Sequence, residues 1–350
     1  MKNFSFIKDR DEIKNLLQKF EYGTIPEKPT KVYAEELSTD DMFCAGKAPL
    51  QRLLLKAEVY GKEIAFPIEI CKPLQTETPE KTLIYLNFFK ELPNKYFPME
   101  EITDRGWTTV SVCYEGITSD DSTIDNNACI LLNEEEKYPL NGNLGENEVK
   151  TGKIAMWAWG VMRVVDYLYK REDINTDNLA LIGHSRLGKT ALLAAAFDER
   201  ISFVHSNDSG ASGAALYAST NENCEKIYDL ATIRPYWFSE VFRSYIGKEK
   251  ELPFDQHHLL GLIAPRVLSV GSAEGDPRAN PQGEMDGARV ASVAWSEFGE
   301  QGLIAPDKAE TGVNYHDGKV GYYIRKGCHY HSREDWSRSL AFFEKYINNK

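Results

Sequence analysis

Short apolar runs alternate with longer segments of helical spacing from residue 82 to the end of the chain. The apolar runs are rich in aliphatic and aromatic residues and lie at 82–87, 108–113, 178–183, 201–205, 266–271 and 320–325. Apolar residues recur every three or four positions in the segments 151–170, 188–198, 282–299 and 332–347. Strand-length apolar runs that alternate with helices are typical of parallel strands covered on both faces. The pattern therefore predicts an α/β protein in three layers, with a mostly parallel sheet in the middle.

The first part of the chain has a different pattern. Residues 10–20 have apolar positions at helical spacing, and an extended stretch with two prolines follows at 22–29. Residues 51–70 alternate apolar and polar on both sides of a Tyr-Gly-Lys turn, which predicts an antiparallel β-hairpin. The chain has no internal repeat and no Gly/Ser linker. We therefore predict an N-terminal extension over 1–48, packed on a single domain over 49–350.

Composition and charge narrow the range of partners. The chain has 350 residues, of which 42% are hydrophobic and 27% charged, as in soluble globular proteins, so disorder and coiled coil are excluded. Lys and Arg number 41 against 53 Asp and Glu, which gives a net charge of −12. Such a surface repels phosphate groups, so we expect neither nucleic acid nor an anionic membrane as a partner.

The six cysteines do not form a metal or redox motif. No two of them lie within four residues of each other, so the sequence contains no CxxC pair. We expect no metal and no cofactor. Charged residues interrupt the first ten positions, and no run of 18 apolar residues occurs. The expectation is a cytoplasmic protein with reduced thiols.

The segment 178–190 carries the chemistry. It reads Asn-Leu-Ala-Leu-Ile-Gly-His-Ser-Arg-Leu-Gly-Lys-Thr, a strand that enters a glycine turn and then a helix. Residues 183–190 match GxxxxGK followed by Thr, the phosphate-binding loop of NTPases. The same residues resemble the GxSxG nucleophile elbow of serine hydrolases, which would present Ser185. That pattern would place the second glycine at position 187, whereas this chain has it one residue later, as Gly188.

The order of the surrounding elements favours the hydrolase. A phosphate-binding loop normally follows the first strand of its domain, whereas a hairpin and two apolar runs precede this one. The hydrolase needs an acid and then a histidine, each after a strand. Asp276 follows the run 266–271, and His329 follows the run 320–325. A P-loop NTPase remains the alternative from another class.

The chain also resembles the glucuronoyl esterases, carbohydrate esterases of the α/β-hydrolase superfamily. Their elbow reads G-x-S-R-x-G-K, which accounts for the position of Gly188. The resemblance extends over roughly residues 150–345. It includes the ordered segments 157–160, 208–213, 237–239, 255–257, 264–266 and 327–329. It implies an α/β-hydrolase fold and serine-dependent hydrolysis of a carbohydrate ester.

The proposed nucleophile is Ser185, which requires a base because a hydroxyl is inert near neutral pH. Two histidines, His329 and His331, follow the last predicted strand, and side chains two apart on an extended loop point the same way. The family pattern favours His329 as the base.

The acid stays open between three residues. Asp276 occupies the strand-end position usual for α/β-hydrolases. Fungal glucuronoyl esterases instead carry a Glu one strand earlier, where this chain has Asp208. Glu274 is the third candidate. One carboxylate that orients the imidazole suffices, whichever strand it follows. We favour Asp276 because its position is the usual one.

The resemblance also implies three supporting roles. Arg186 would help to form the oxyanion hole, and Lys189 would contact sugar hydroxyls. The spacing i, i+4 places Lys189 on the helix face of Ser185, and a solvated or salt-bridged lysine is the alternative. Trp237 would line the pocket, because an aromatic face suits a sugar ring.

Two segments depart from the family pattern. Residues 277–278 are Pro-Arg where many members have an aromatic residue, and residues 233–236 replace an acidic approach to the segment 237–239. Sugar contacts made at those positions in the family therefore do not carry over to this chain. The resemblance as a whole implies a glucuronoyl ester first and an acetylated sugar or xylan fragment second as the substrate. A hydrolase fold that binds carbohydrate without turnover is a further alternative.

Overall fold

In this computed structural model, the described residues form a central sheet of ten strands. Those residues are 4–75, 80–123, 127–128 and 151–347. The strands are β1 (Lys31–Asp40), β2 (Leu50–Val59), β3 (Lys62–Cys71), β4 (Lys81–Asn87), β5 (Trp107–Cys113), β6 (Leu179–His184), β7 (Phe203–Asn207), β8 (Val267–Ala273), β9 (Asn314–Tyr315) and β10 (Val320–Arg325). Their order is β1-β2-β3-β5-β4-β6-β7-β8-β10-β9. The six strands from β5 to β10 in this order are mutually parallel, so the predicted parallel sheet is confirmed.

Helices cover both faces of the sheet. They are α1 (Arg10–Leu17), α2 (Met99–Asp104), α3 (Tyr114–Ile117), α4 (Lys153–Leu168), α5 (Arg186–Phe197), α6 (Ile227–Ile233), α7 (Gln256–Gly261), α8 (Pro281–Glu297) and α9 (Arg333–Ile347). Alternate residues of β4 enter different apolar clusters: Ile84 and Leu86 pack with α4, α5 and α8, while Leu83 and Tyr85 pack with α9. This confirms the three layers. Among the described helices, none has the length and hydropathy needed to cross a membrane.

The predicted hairpin is formed by β2 and β3. Val59 pairs with Lys62, and the two residues between them, Tyr60 and Gly61, have φ of +52° and +73°. Positive φ at both positions matches the right-handed twist of the flanking strands, and glycine adopts it without a steric penalty.

The N-terminal segment contributes to both the core and the sheet. Ile13 and Leu17 of α1 and Tyr22 of the following π-helical turn are fully buried in the larger apolar cluster. Strand β1 pairs with β2 along its length and was not predicted. Most of its residues are polar or exposed, so backbone pairing rather than an apolar face stabilises it, and no pattern marks it.

We expect Leu17→Ala to lower the free energy of unfolding by about 2–4 kcal/mol, because a fully buried leucine would leave a cavity. Urea unfolding followed by circular dichroism measures the change. Asn15→Ala, at an exposed position of the same helix, is the control and should change stability by less than about 0.5 kcal/mol. Equal effects of the two substitutions would show that α1 is not part of the core.

Candidate active site

Ser185 forms the whole turn between β6 and α5. Its φ of +58° and ψ of −129° lie in a region that residues with a side chain rarely adopt. The Ser185 N–H donates to the carbonyl of Asn207 on β7 at 2.8 Å, and its own carbonyl accepts from Gly188 and Lys189 of α5 at 2.9 and 3.2 Å. These bonds to the surrounding structure offset the local strain.

Two glycines make this turn possible. A Cβ on Gly183 would lie 2.0 Å from the carbonyl oxygen of Leu187, where β6 and α5 nearly touch. A Cβ on Gly188 would lie 3.0 Å from Ser206 Oγ, where α5 approaches β7. The second glycine therefore serves the helix–strand contact, which explains its position in the motif.

A hydrogen-bonded line runs from Ser185 through His329 to Asp276. Ser185 Oγ lies 2.9 Å from His329 Nε2, and His329 Nδ1 lies 2.5 Å from Asp276 Oδ2. Asp276 follows β8 and His329 follows β10, and these strands are neighbours in the sheet. The carboxyl ends of β6, β8 and β10 thus deliver the three side chains to one place.

The acid of this line is held in its ionised form. Burial raises the pKa of Asp276, but the hydrogen bond and charge of His329 outweigh it and keep the pKa below its usual range. The carboxylate accepts the Nδ1–H proton of His329, and Nε2 is left to accept the hydroxyl proton of Ser185.

The other candidate acids do not bond to His329. Asp208 Oδ2 lies 3.4 Å from Arg325 Nη2, and burial, followed by the charges of Glu284 and Asp335, raises the pKa of Asp208 well above its usual range. Asp208 is nevertheless close: one carboxylate oxygen each of Asp208 and Asp276 and one ring nitrogen of His329 all lie within 4.8 Å of one another. Glu274 is exposed and accepts from the hydroxyl of Thr311 at 3.1 Å.

His331 is buried among aromatic residues and does not contact Ser185. The ring is fully buried 4.7 Å from that of Trp336, and its Nδ1 is 3.5 Å from the hydroxyl of Tyr85. The two histidines of the loop therefore face different surroundings despite their spacing.

His184, which sequence analysis did not single out, supports the base. Its Nδ1 donates to Asn207 Oδ1 at 2.7 Å, and its ring centre lies 4.6 Å from that of His329. Burial and then the charge of His329 lower the pKa of His184 to about 3, so this ring stays neutral beside the base.

Arg186 is positioned by Asp120, which no sequence pattern indicated. The Arg186 guanidinium donates to Asp120, and Asp120 also accepts from Trp237 Nε1 at 2.7 Å and from the Tyr114 hydroxyl at 3.2 Å. The guanidinium lies 4.8 Å from the centre of the Trp237 ring. Within the described part of the chain, Arg186 Nε is buried and lacks a hydrogen-bond partner.

Lys189 is buried and holds the loop after β7. Its Nζ donates to the carbonyls of Ser209, at 2.6 Å, and of Ala211, and lies 3.1 Å from Glu225 Oε2. These three contacts use all three ammonium protons. The geometry favours the hydrolase interpretation, because in a phosphate-binding loop the lysine faces the nucleotide.

Two cavities are lined by Ser185. One, of about 340 Å³, is lined by Lys189, Glu225 and Trp237 together with the Ser185–His329–Asp276 line. The other, of about 320 Å³, is lined by aromatic residues and a lysine: Phe88, Phe89, Tyr96 and Lys95. Trp157 and Trp159 of α4 are fully buried in the larger apolar cluster.

Comparison with known proteins identifies the family. A family model described as "Glucuronyl esterase, fungi" matches residues 118–299, just over half of the chain. The chain belongs to the glucuronoyl esterase family. A solved glucuronoyl esterase from Solibacter usitatus has a TM-score of 0.84 at 30% identity, covering 96% of this chain and 92% of that one. A solved promiscuous esterase of carbohydrate esterase family 15, from the marine bacterial metagenome, has a TM-score of 0.84 at 26% identity. The match covers 96% of this chain and 91% of that one.

Two curated relatives are longer than this chain. A carbohydrate esterase of an unknown prokaryotic organism is 38% identical over 196 residues, which are 56% of this chain and 45% of that protein. The 4-O-methyl-glucuronoyl methylesterase of Podospora anserina is 28% identical over 348 residues, which are 96% of this chain and 63% of that protein. The chain therefore spans between about half and two thirds of the length of these relatives.

The geometry predicts which acid activates Ser185. We expect Asp276→Asn to slow the reaction of Ser185 with a fluorophosphonate probe by about 10³–10⁴-fold, because an amide no longer orients and stabilises the imidazolium. Asp208→Asn should slow it by less than about tenfold, and Glu274→Gln should leave it unchanged. Labelling rates measured by intact mass spectrometry, with thermal unfolding as a check on folding, test this. A larger loss in Asp208→Asn than in Asp276→Asn would reverse the assignment.

Proposed function

We propose that this chain hydrolyses esters of glucuronic acid through an acyl-enzyme formed on Ser185. The observation that carries the proposal is the hydrogen-bonded line from Ser185 to Asp276, in a chain of the glucuronoyl esterase family. Relatives named 4-O-methyl-glucuronoyl methylesterase support the choice of substrate.

Ser185, His329 and Asp276 each have a separate role in the proposed reaction. Ser185 Oγ attacks the ester carbonyl while His329 Nε2 takes its proton. Asp276 stabilises the imidazolium that forms, and the imidazolium then returns the proton to the departing alcohol. Water attacks the acyl-enzyme in the second half of the reaction, with His329 again as the base, and the uronic acid leaves.

Arg186 and the first turn of α5 would stabilise the oxyanion. The start of a helix directs backbone N–H groups and the positive end of its dipole at this position. The Arg186 guanidinium, which lines both cavities together with Ser185 and is held in place by Asp120, supplies further donors. Donors fixed before the reaction stabilise developing charge without reorganising.

The cavity that contains Lys189 would receive the sugar. Because protein groups occupy all three protons of Lys189, we propose that Glu225 is the group that accepts sugar hydroxyls and that Lys189 holds it in place. The Glu225 side chain is 23% exposed, against 3% for Lys189. Trp237 would add an apolar wall.

The second cavity lined by Ser185, of about 320 Å³, would receive the alcohol part of the ester. Its walls include the rings of Phe88, Phe89 and Tyr96, which suit a bulky apolar alcohol better than a methyl group. An ester has two parts, and the two cavities that Ser185 lines would each accommodate one of them.

A panel of three esters tests the function. We expect serine-dependent hydrolysis of benzyl glucuronate by the wild type and a loss of at least about 10³-fold in Ser185→Ala and His329→Ala, because each removes a reacting group. Initial rates are measured on benzyl glucuronate, an acetylated xylo-oligosaccharide and p-nitrophenyl acetate. Hydrolysis of the acetyl esters alone would move the substrate to acetylated sugars. Binding of the sugars with no turnover on any ester would contradict the enzyme proposal.

The role of Glu225 has its own expected outcome. Glu225→Gln should raise KM for benzyl glucuronate by about tenfold, because an acceptor for sugar hydroxyls loses its charge. The effect on p-nitrophenyl acetate, which has no sugar, should be much smaller. Glu222→Gln, an exposed neighbour, is the matched control. Equal effects of Glu225→Gln on both esters would place Glu225 outside the sugar site.

A further inference from the structure

Two arginines stand at the mouth of the sugar cavity. Arg234 follows α6, and Arg278 lies two residues beyond Asp276. Both line the cavity of about 340 Å³ that contains Ser185. The side chain of Arg278 is 62% exposed and Arg234 is partly exposed, whereas Lys189 is buried. They also occupy the two segments in which the sequence departs from the family pattern.

The arginines extend the two walls of the cavity outward. On one wall, the Arg234 guanidinium lies 5.9 Å from the centre of the Trp237 ring, which Arg186 approaches to 4.8 Å. On the other wall, Arg278 Nη2 lies 3.9 Å from Glu225 Oε1, while Glu225 Oε2 lies 3.1 Å from Lys189 Nζ. Trp237 thus contacts both Arg186 and Arg234, and Glu225 contacts both Lys189 and Arg278. Arg186 and Lys189 are the inner cations of the cavity, and Arg234 and Arg278 are the outer ones.

The inner cations are neutralised by close partners, whereas the outer ones are not. Arg186 pairs with Asp120, and Lys189 pairs with Glu225. Among the described residues, the ion pair of Arg278 is the longer 3.9 Å contact with Glu225, and Arg234 donates to the carbonyl of Ile233.

Two of the other cavity acids are committed elsewhere. Asp276 bonds to His329, and Asp229 accepts from the backbone N–H of Lys226 at the start of α6. Among the described residues, no carboxylate oxygen therefore lies closer than 3.9 Å to the guanidinium of Arg234 or Arg278. A guanidinium without a close carboxylate partner keeps donors that can bind a carboxylate or sulfate in a forked geometry.

The ester of the proposed reaction does not supply that anion. Esterification removes the charge of the glucuronate carboxyl group, so the reacting sugar is neutral until it has been hydrolysed. We propose that Arg234 and Arg278 bind a second anionic group, a carboxylate or sulfate on a sugar next to the esterified one. This inference rests on the proposed function and makes the preferred substrate an acidic oligosaccharide.

Matched disaccharide esters test the proposal. The neutral substrate is the benzyl ester of glucuronosyl-xylose, and the charged substrates are a diglucuronate with one benzyl ester and the neutral substrate sulfated on its xylose. We expect wild-type kcat/KM to be about five- to tenfold higher for a charged than for the neutral substrate, with the difference in KM and lost at high salt. Comparison of the two charged substrates shows whether the site selects carboxylate or sulfate.

Variants locate the effect. The ratio of charged to neutral kcat/KM should fall toward one in the Arg234→Gln, Arg278→Gln double variant and below one in Arg278→Glu. Arg278→Lys should keep part of the preference because it keeps the charge. Arg243→Gln, at an exposed arginine that lines a different cavity, should leave the ratio unchanged.

Separate outcomes identify which proposal fails. A wild-type ratio near one, or a ratio that the double variant does not change, would overturn the arginine site while leaving the esterase proposal intact. If the wild type hydrolyses neither the neutral nor the charged esters, the esterase proposal fails. Calorimetric binding of free diglucuronate, compared between wild type and the double variant, then decides on the arginine site, and equal affinities would overturn it.

Discussion

The positive φ of Ser185 is the constraint on which the site depends. A single residue turns the chain from β6 into α5, so strand and helix approach to the distance at which only glycine fits at 183. The strain is local, but the bonds that offset it come from β7 and from α5. The nucleophile is therefore fixed by three elements of the fold, and a change in the packing of any of them would move its hydroxyl.

Buried polar groups extend this rigidity behind the site. Asp335 of α9 accepts from Arg325 at 2.6 Å, from Asn207 at 3.1 Å and from the hydroxyl of Tyr323 at 2.9 Å. Asn207 in turn fixes His184, the residue before the nucleophile. The ends of β6, β7 and β10 are thus joined through one carboxylate, which stabilises their relative positions.

A second buried carboxylate shapes the wall of the cavity. Glu284 of α8 accepts from the backbone N–H groups of Ser209 and Gly210 at 2.7 and 2.9 Å and from the Ser272 hydroxyl at 2.6 Å. Burial raises the pKa of Glu284 to about 7 even though these donors lower it. Lys189 holds the same loop through the carbonyls of Ser209 and Ala211. The loop is therefore held from two sides through its backbone.

The sequence by itself determined the layers, the elbow and the order of serine, acid and histidine, because these depend on local spacing. A buried strand needs a run of apolar residues, and a strand-to-helix turn needs its glycines, whatever the rest of the chain does. Strand β1 had no such pattern, since its stability comes from pairing with β2. The contacts between distant side chains were decided only by the tertiary structure. Asp276 rather than Asp208 bonds to His329, and Asp120 holds Arg186, because hydrogen bonds depend on distances of a few ångströms between strand ends and loops far apart in the chain.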